Sequence, residues 1–245
     1  MARENYGIDA PTVVRNLAVI GVTLLVLGAG SILATNGGLV TPGHPTRILV
    51  NAMPTGAICL VMAGWMIASS KWLKQRVCRA MLDSRDWRGD EAVLDIGCGR
   101  GLVAVAAARR VPRGHVTGID LWQERDLGGN NPDAIRANAE AAGVADLLTV
   151  DTGDARALPY PDGSFDVVGS MTAIHNIPDH EGRMKAIDEA WRVTRPGGHL
   201  LIFDIRHGRK YARRVRELGA ADVRLTGPIL LWGPIGWRFR ATKPS

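Results

Sequence analysis

Four stretches carry residues able to do chemistry, and they follow one another along the second half of the chain. The first is Val93–Gly101, VLDIGCGRG, in which an apolar run reaches Asp95 and is followed by Gly97, Gly99 and Gly101 at alternate positions. With the apolar stretch Leu102–Ala108 behind it, the pattern predicts strand, tight turn and helix. Glycine lacks a Cβ, so a ligand can approach such a turn closely, and the N–H groups of the helix start face it. The second is Asp120, about 20 positions after the turn, where a carboxylate can accept hydrogen bonds from both hydroxyls of a ribose. The third is Gly153–Val168, GDARALPYPDGSFDVV, where Asp154 is at least a turn-forming aspartate. The fourth is MTAIHNIP, with His175 and Asn176.

An α/β domain must position these residues. Strands are predicted at Ala92–Ile96, His115–Ile119, Leu147–Asp151, Phe165–Ser170 and His199–Phe203, with helices at Leu102–Arg110, Pro132–Ala142 and His180–Thr194 between them. Such alternation implies a parallel sheet covered by helices on both faces. Asp222–Leu225 and Trp237–Thr242 are predicted to pair as an antiparallel hairpin around Leu231–Gly236. In open sheets of this kind ligands gather at strand carboxyl ends, where the glycine turn, Asp120 and the His175 stretch all fall.

The glycine spacing is G-x-G-x-G, not the dinucleotide G-x-G-x-x-G, and no Tyr-x-x-x-Lys pair follows the fourth strand. A dinucleotide-dependent dehydrogenase is therefore a weak alternative. VLDIGCGRG, GID at Gly118–Asp120, the Gly153–Val168 stretch and RPGG at Arg195–Gly198 resemble, in order and spacing, the successive motifs of class I S-adenosylmethionine-dependent methyltransferases. The resemblance covers roughly residues 85–245. It implies a Rossmann-like α/β fold: a seven-stranded, mostly parallel sheet with the last strand antiparallel and helices on both faces.

The resemblance also implies roles for individual residues. Asp95, Gly97, Cys98, Gly99 and Gly101 match the motif around the methionine part of S-adenosyl-L-methionine, whose amine and sulfonium favour a nearby carboxylate. Asp120, with Leu121 beside it, matches the ribose acid; Asp154 and Ala155 match the pair that reads the adenine edge. Cys98 then reads as a small residue of the cofactor loop, not a nucleophile. His175 and Asn176 are candidate catalytic residues bordering the methyl group and its acceptor. For His175 two readings stand, a general base and a histidine that only packs the pocket. Leu121–Asn131 is longer and more polar than is usual in the family. Trp122, Asp126, Gly128, Gly129 and Asn130 form either a lid over the adenosine or a solvated loop, with Asn130 or Asn131 capping the helix at Pro132.

The first third of the chain has a different texture. Residues 1–12 are a short polar tail, and residues 13–70 read as a two-helix transmembrane hairpin. Leu17–Ala34 and Ile48–Ala68 carry no charge; the first is about 27 Å long as a helix, enough to span hydrocarbon. Arg3 and Arg15 precede the first span and Lys71, Lys74, Arg76 and Arg79 follow the second, whereas the loop holds only Arg47. The bias puts both termini and the catalytic domain in the cytoplasm. Asn51, Pro54 and Thr55 are either a kinked site for a lipid-soluble substrate or a contact with the first helix at Gly28, Gly30 and Ser31. Residues 71–88 read as a linking amphipathic helix with Leu73, Val77, Met81 and Leu82 on one face, leaving 89–245 as the catalytic domain.

Three scattered cysteines suggest neither a disulfide framework nor a metal site. The net charge of +6 is concentrated in part in Arg206–Arg216, RHGRKYARRVR, read as a surface helix with Tyr211, Val215 and Leu218 inward. No nucleic-acid module accompanies it and no obligate protein partner is evident. The expected function is a membrane-anchored methyltransferase acting on a small-molecule or lipid-like acceptor at the bilayer. A membrane sensor that binds the cofactor without turnover is the alternative.

Overall fold

The computed structural model describes residues 4–39, 41, 44–123, 127–231 and 235–245, so Arg3, Asp126 and the middle of the predicted Leu231–Gly236 turn lie outside the described residues. The chain divides into two compact units, residues 8–70 and residues 1–7 with 71–245.

The smaller unit is a pair of helices, α1 (Pro11–Asn36) and α2 (His44–Ala68). Both are long and apolar enough to cross a membrane, by length and composition. They begin several residues before the uncharged runs, because Pro11 suits a first helical turn and neither Arg15 nor Arg47 interrupts one. Close approach runs through Gly21, Gly28 and Gly56: a Cβ on Gly21 would lie 2.7 Å from Leu60 Cγ, one on Gly28 2.3 Å from Met53 Cγ, and one on Gly56 2.9 Å from Gly21 O. Gly30, expected at this contact, faces open space. Helix α2 continues through Pro54.

A π-helical turn, Ser69–Leu73, runs across the boundary at residue 70 into α3 (Lys74–Leu82) of the larger unit, shorter than the expected linking helix. It ends where the Trp87 indole N–H donates to Leu82 O at 2.9 Å. Its Val77, Cys78, Met81 and Leu82 are buried. The sheet follows: β1 (Ala92–Ile96), β2 (His115–Asp120), β3 (Leu148–Thr152), β4 (Phe165–Met171), β5 (Thr194–Asp204), β6 (Asp222–Leu230) and β7 (Ile235–Thr242), in spatial order 3-2-1-4-5-7-6. All pairs from β3 to β5 are parallel, and β7 is antiparallel to both its neighbours. The direction of strand addition reverses between β1 and β4, and that reversal opens a ligand crevice at their carboxyl ends.

Side-chain alternation divides the core. Val93, Val167, Leu201 and Phe203 face one layer with α3, α4 (Leu102–Ala108) and α5 (Pro132–Ala141). Leu94, Val168, Leu200 and Ile202 face the other with α6 (His180–Val193) and α7 (Gly208–Glu217). As expected, Tyr211 and Val215 of α7 are fully buried. The Arg195–Gly198 turn is drawn into an irregular start of β5, where Lys243 closes it: Gly197 N donates to Lys243 O and Lys243 N to Gly198 O, both at 2.9 Å.

Entry into β1 depends on Glu91, which is 0% exposed and accepts from Arg88 N at 2.7 Å, Gly89 N at 2.9 Å and Arg85 Nη2 at 3.0 Å. Removing one partner of such a buried pair costs about 3–5 kcal/mol. Glu91→Ala is expected to destabilise the domain by that order, read as a fall in the thermal unfolding midpoint of the purified protein.

Candidate functional site

The glycine turn is fastened to the neighbouring strand. Gly97 N and Cys98 N donate to Ile119 O at 2.8 and 3.2 Å, and Gly99 N donates to Asp120 Oδ2 at 2.8 Å. Gly97, Gly99 and Gly101 have φ of +69°, +51° and +86°, a region closed to most side chains. A Cβ on Gly97 would also lie 2.2 Å from the Cβ of Ala173, beyond β4. Cys98 is 5% exposed, packed below the turn, and burial pushes its thiol well up, which suits a small packing residue of the loop and not a nucleophile.

Asp120 lies at the end of β2, beside the exposed Leu121. Its Oδ1 accepts from Trp122 N at 2.7 Å and from Asn130 Nδ2 at 3.3 Å. The two asparagines before α5 have separate tasks. Asn131 is the helix cap, accepting from Ala134 N at 2.9 Å, and Asn130 turns inward onto Asp120. Trp122 takes a positive φ of 59° and its indole N–H donates to Thr152 Oγ1 at 2.8 Å, bridging the ends of β2 and β3. Asp154 sits just past β3. It accepts from Arg156 N at 2.9 Å and from the Arg156 guanidinium at 2.6–3.0 Å, hydrogen bonds that hold its carboxyl below the usual range. Ala155 packs partly buried beside it.

His175 and the exposed Asn176 lie on a single 3-10 turn after β4. The sequence reading missed the partner of His175, Asp204, the last residue of β5 and 1% exposed. Its Oδ1 lies 2.7 Å from His175 Nδ1, and its Oδ2 accepts from His175 N at 3.1 Å. The signal was an aspartate ending the apolar run Leu200–Phe203, at the same edge as Asp120. The structure thus brings together, at the carboxyl ends of adjacent strands, the glycine turn, Asp120, Asp154 and His175. Asp95 lies behind this group: its Oδ2 accepts from Ala104 N in the first turn of α4 at 2.9 Å, and its buried Oδ1 has no partner.

These residues fit an adenosine-bearing cation. A turn with no Cβ atoms in its path adjoins a carboxylate suited to a diol, and further acidic groups line the same edge. Among the described residues no group of His, Cys, Asp and Glu could hold a metal ion.

Residues 94–202 match the methyltransferase-domain family model. The ubiquinone/menaquinone biosynthesis C-methyltransferase UbiE of Roseobacter denitrificans is 37% identical over 125 residues, 51% of this chain and 46% of that protein. The 27-O-demethylrifamycin SV methyltransferase of Amycolatopsis mediterranei is 38% identical over 144 residues, 56% of this chain and 48% of that protein. The chain thus spans about half the length of the curated relatives it matches. Among solved structures, a sarcosine dimethylglycine methyltransferase described for Galdieria sulphuraria superposes with TM-score 0.56 at 17% identity, covering 73% of this chain and 87% of that one. The 4+2 cyclase SpnF superposes with TM-score 0.55 at 20% identity, covering 69% and 80%.

Burial, opposed by the Ala104 hydrogen bond and reinforced by the charge of Asp120, pushes the Asp95 carboxyl up from 3.8 to about 7. The folded state therefore holds this proton more tightly than the unfolded chain, and the associated stability is lost as pH rises from about 4 to about 7. Asp95→Asn, which never ionises, is expected to flatten that slope in thermal unfolding followed across this range. Residues 94–202 are thus similar to a methyltransferase domain, and the sheet that holds them has the Rossmann-like fold of S-adenosylmethionine-dependent methyltransferases.

Proposed function

We propose that the protein is a membrane-anchored methyltransferase that methylates a small, lipid-like acceptor, of which a quinone precursor is the leading example. The observation that carries this reading is the convergence of the Gly99–Asp120 contact and the His175–Asp204 pair at one edge of the sheet. Residues 13–70 tether the chain in the bilayer, 71–88 link, and 89–245 form the catalytic domain, with both termini cytosolic. Two membrane-length helices support the tether. Relatives whose names specify quinone methylation support the acceptor class. A tether raises the effective concentration of the domain near membrane-dissolved molecules.

Bound S-adenosylmethionine supplies a methyl group on a sulfonium, already joined to a good leaving group. The chain's own residues orient and deprotonate. Asp120 and Leu121 hold the ribose, the Gly97–Gly101 turn with Cys98 passes beneath the methionine part, and Asp154 with Ala155 meets the adenine edge. Asp154 does so while shared with Arg156. His175 Nε2 takes the acceptor's proton; Asp204 faces Nδ1 and stabilises the charge that the ring then carries. Asn176, exposed on the same turn, contacts the acceptor.

The test is transfer of a labelled methyl group from S-adenosylmethionine into membrane lipid extract, with mass spectrometry of the methylated species. Cofactor binding without transfer into any extract would point instead to a sensor. Asp120→Ala is expected to abolish cofactor binding in calorimetry. Asp204→Asn is expected to lower kcat by about a hundredfold or more, the usual scale of acid–base help, and to leave cofactor affinity unchanged. A His175 that only packs the pocket would leave kcat at the wild-type value in that variant.

A further inference from the structure

Residues 4–7 precede the first apolar helix, yet they pack as part of the sheet unit. Their anchor is Asn138 of α5, 4% exposed, whose side-chain amide bonds only to main chain. Its Oδ1 accepts from Asn5 N at 2.8 Å, and its Nδ2 donates to Asn5 O at 3.0 Å and to Arg100 O at 2.8 Å. Arg100 lies inside the glycine turn, between Gly99 and Gly101. Its Nε donates to the same Asn5 oxygen at 2.8 Å, and its Nη1 reaches Gly128 O at 3.2 Å and Gly129 O at 3.5 Å.

The contact continues to the site. Gly7 has φ of +76°, and a Cβ there would lie 3.1 Å from both Arg100 Cδ and Leu127 Cδ1. Leu127 covers the turn in its own right: a Cβ on Gly99 would lie 3.0 Å from Leu127 Cδ2. Three residues on, Asn130 bonds to Asp120, and its own Oδ1 is buried without a partner. At the outer end, Glu4 pairs with Arg109, the residue that closes α4, and accepts from the Tyr6 hydroxyl at 2.5 Å.

We propose that Glu4–Gly7 is a strap that completes the cofactor site. Through Arg100 and Asn138, both positioning residues, it holds Leu127–Asn130 down on the glycine turn and Asn130 against Asp120. The proposal rests on the S-adenosylmethionine reading above. Its physical basis is polar satisfaction. Without the strap, Asn138 loses two of its three bonds inside the protein, Arg100 Nε loses its acceptor, and Leu127 loses its cover. The loop bearing Asn130 is then free to leave the ribose carboxylate. Recognition through the main chain of residue 5 means the strap works by its path, for which Gly7 supplies the left-handed step.

The experiment is calorimetric titration of the full-length protein, in detergent micelles, with S-adenosylmethionine, alongside amide hydrogen exchange. Gly7→Val and Asn138→Ala are each expected to weaken binding by about tenfold, the scale of one lost buried contact. Amides of Leu127–Asn131 should exchange faster, with protection of β4 and β5 unchanged. Arg136→Ala, on the exposed face of the same helix, should bind as wild type; weakening there as great as in Asn138→Ala would overturn the role given to Asn138. Wild-type affinity in Gly7→Val overturns the strap. If Asn138→Ala loses protection throughout the sheet, it reports on folding and Gly7→Val decides alone. Wild-type affinity in Asp120→Ala would overturn the cofactor reading itself, whereas loss there with unaffected Gly7→Val overturns only the strap.

Discussion

The site depends on three N–H groups of the glycine turn reaching the end of the next strand. Gly97 and Cys98 point theirs at Ile119 O, and Gly99 points its own at the Asp120 carboxylate. This works because β1 and β2 are parallel and in a register that pairs Ile96 with Ile119, so both strands stop at the same level. A turn leaving β1 must double back at once to meet β2. Left-handed backbone at alternate positions is the way to do so, and side chains there would strain the chain. The bond to Gly99 also orients Asp120, so the turn and the proposed ribose acid form one object.

Charge at this edge is uneven in a way that suits a cation. Asp120 and Asp204 meet the crevice from β2 and β5, and Asp95 lies buried behind the turn with an unpartnered oxygen. Asp154 is the exception: Arg156 already neutralises it in a bidentate pair, so any adenine amine must share that carboxylate. Fold and chemistry remain separable, as the superposition on a cyclase illustrates. In the proposed function the chemistry falls to the residues at the strand ends, not to the sheet.

Much of the architecture was legible because its signals are local. Strand β1 has the bounds read for it, Ala92–Ile96, and the capping asparagine before Pro132 was one of two adjacent candidates. The errors have causes that lie elsewhere in the chain. The Arg195–Gly198 turn belongs to β5 because Lys243, from the far end of the chain, pairs with it. Gly30 read as a helix contact on composition alone; which small residues face the partner helix depends on rotation about the axis, and that selects Gly21, Gly28 and Gly56.

By itself the sequence determined the alternation of strand and helix, the glycine turn, the acid about 20 residues on, and two uncharged runs of spanning length. These follow from hydrophobic period, turn chemistry and residue type, all of which act over a few positions. Only the tertiary structure decided that Asp204 meets His175, that Asn130 turns in to Asp120 and Asn131 stays out, and that Asn5 lies against Asn138, 133 positions away. Such pairings carry no local signature. They arise when parallel strands bring their ends to one edge, where groups distant in sequence become neighbours and most buried polar atoms find partners.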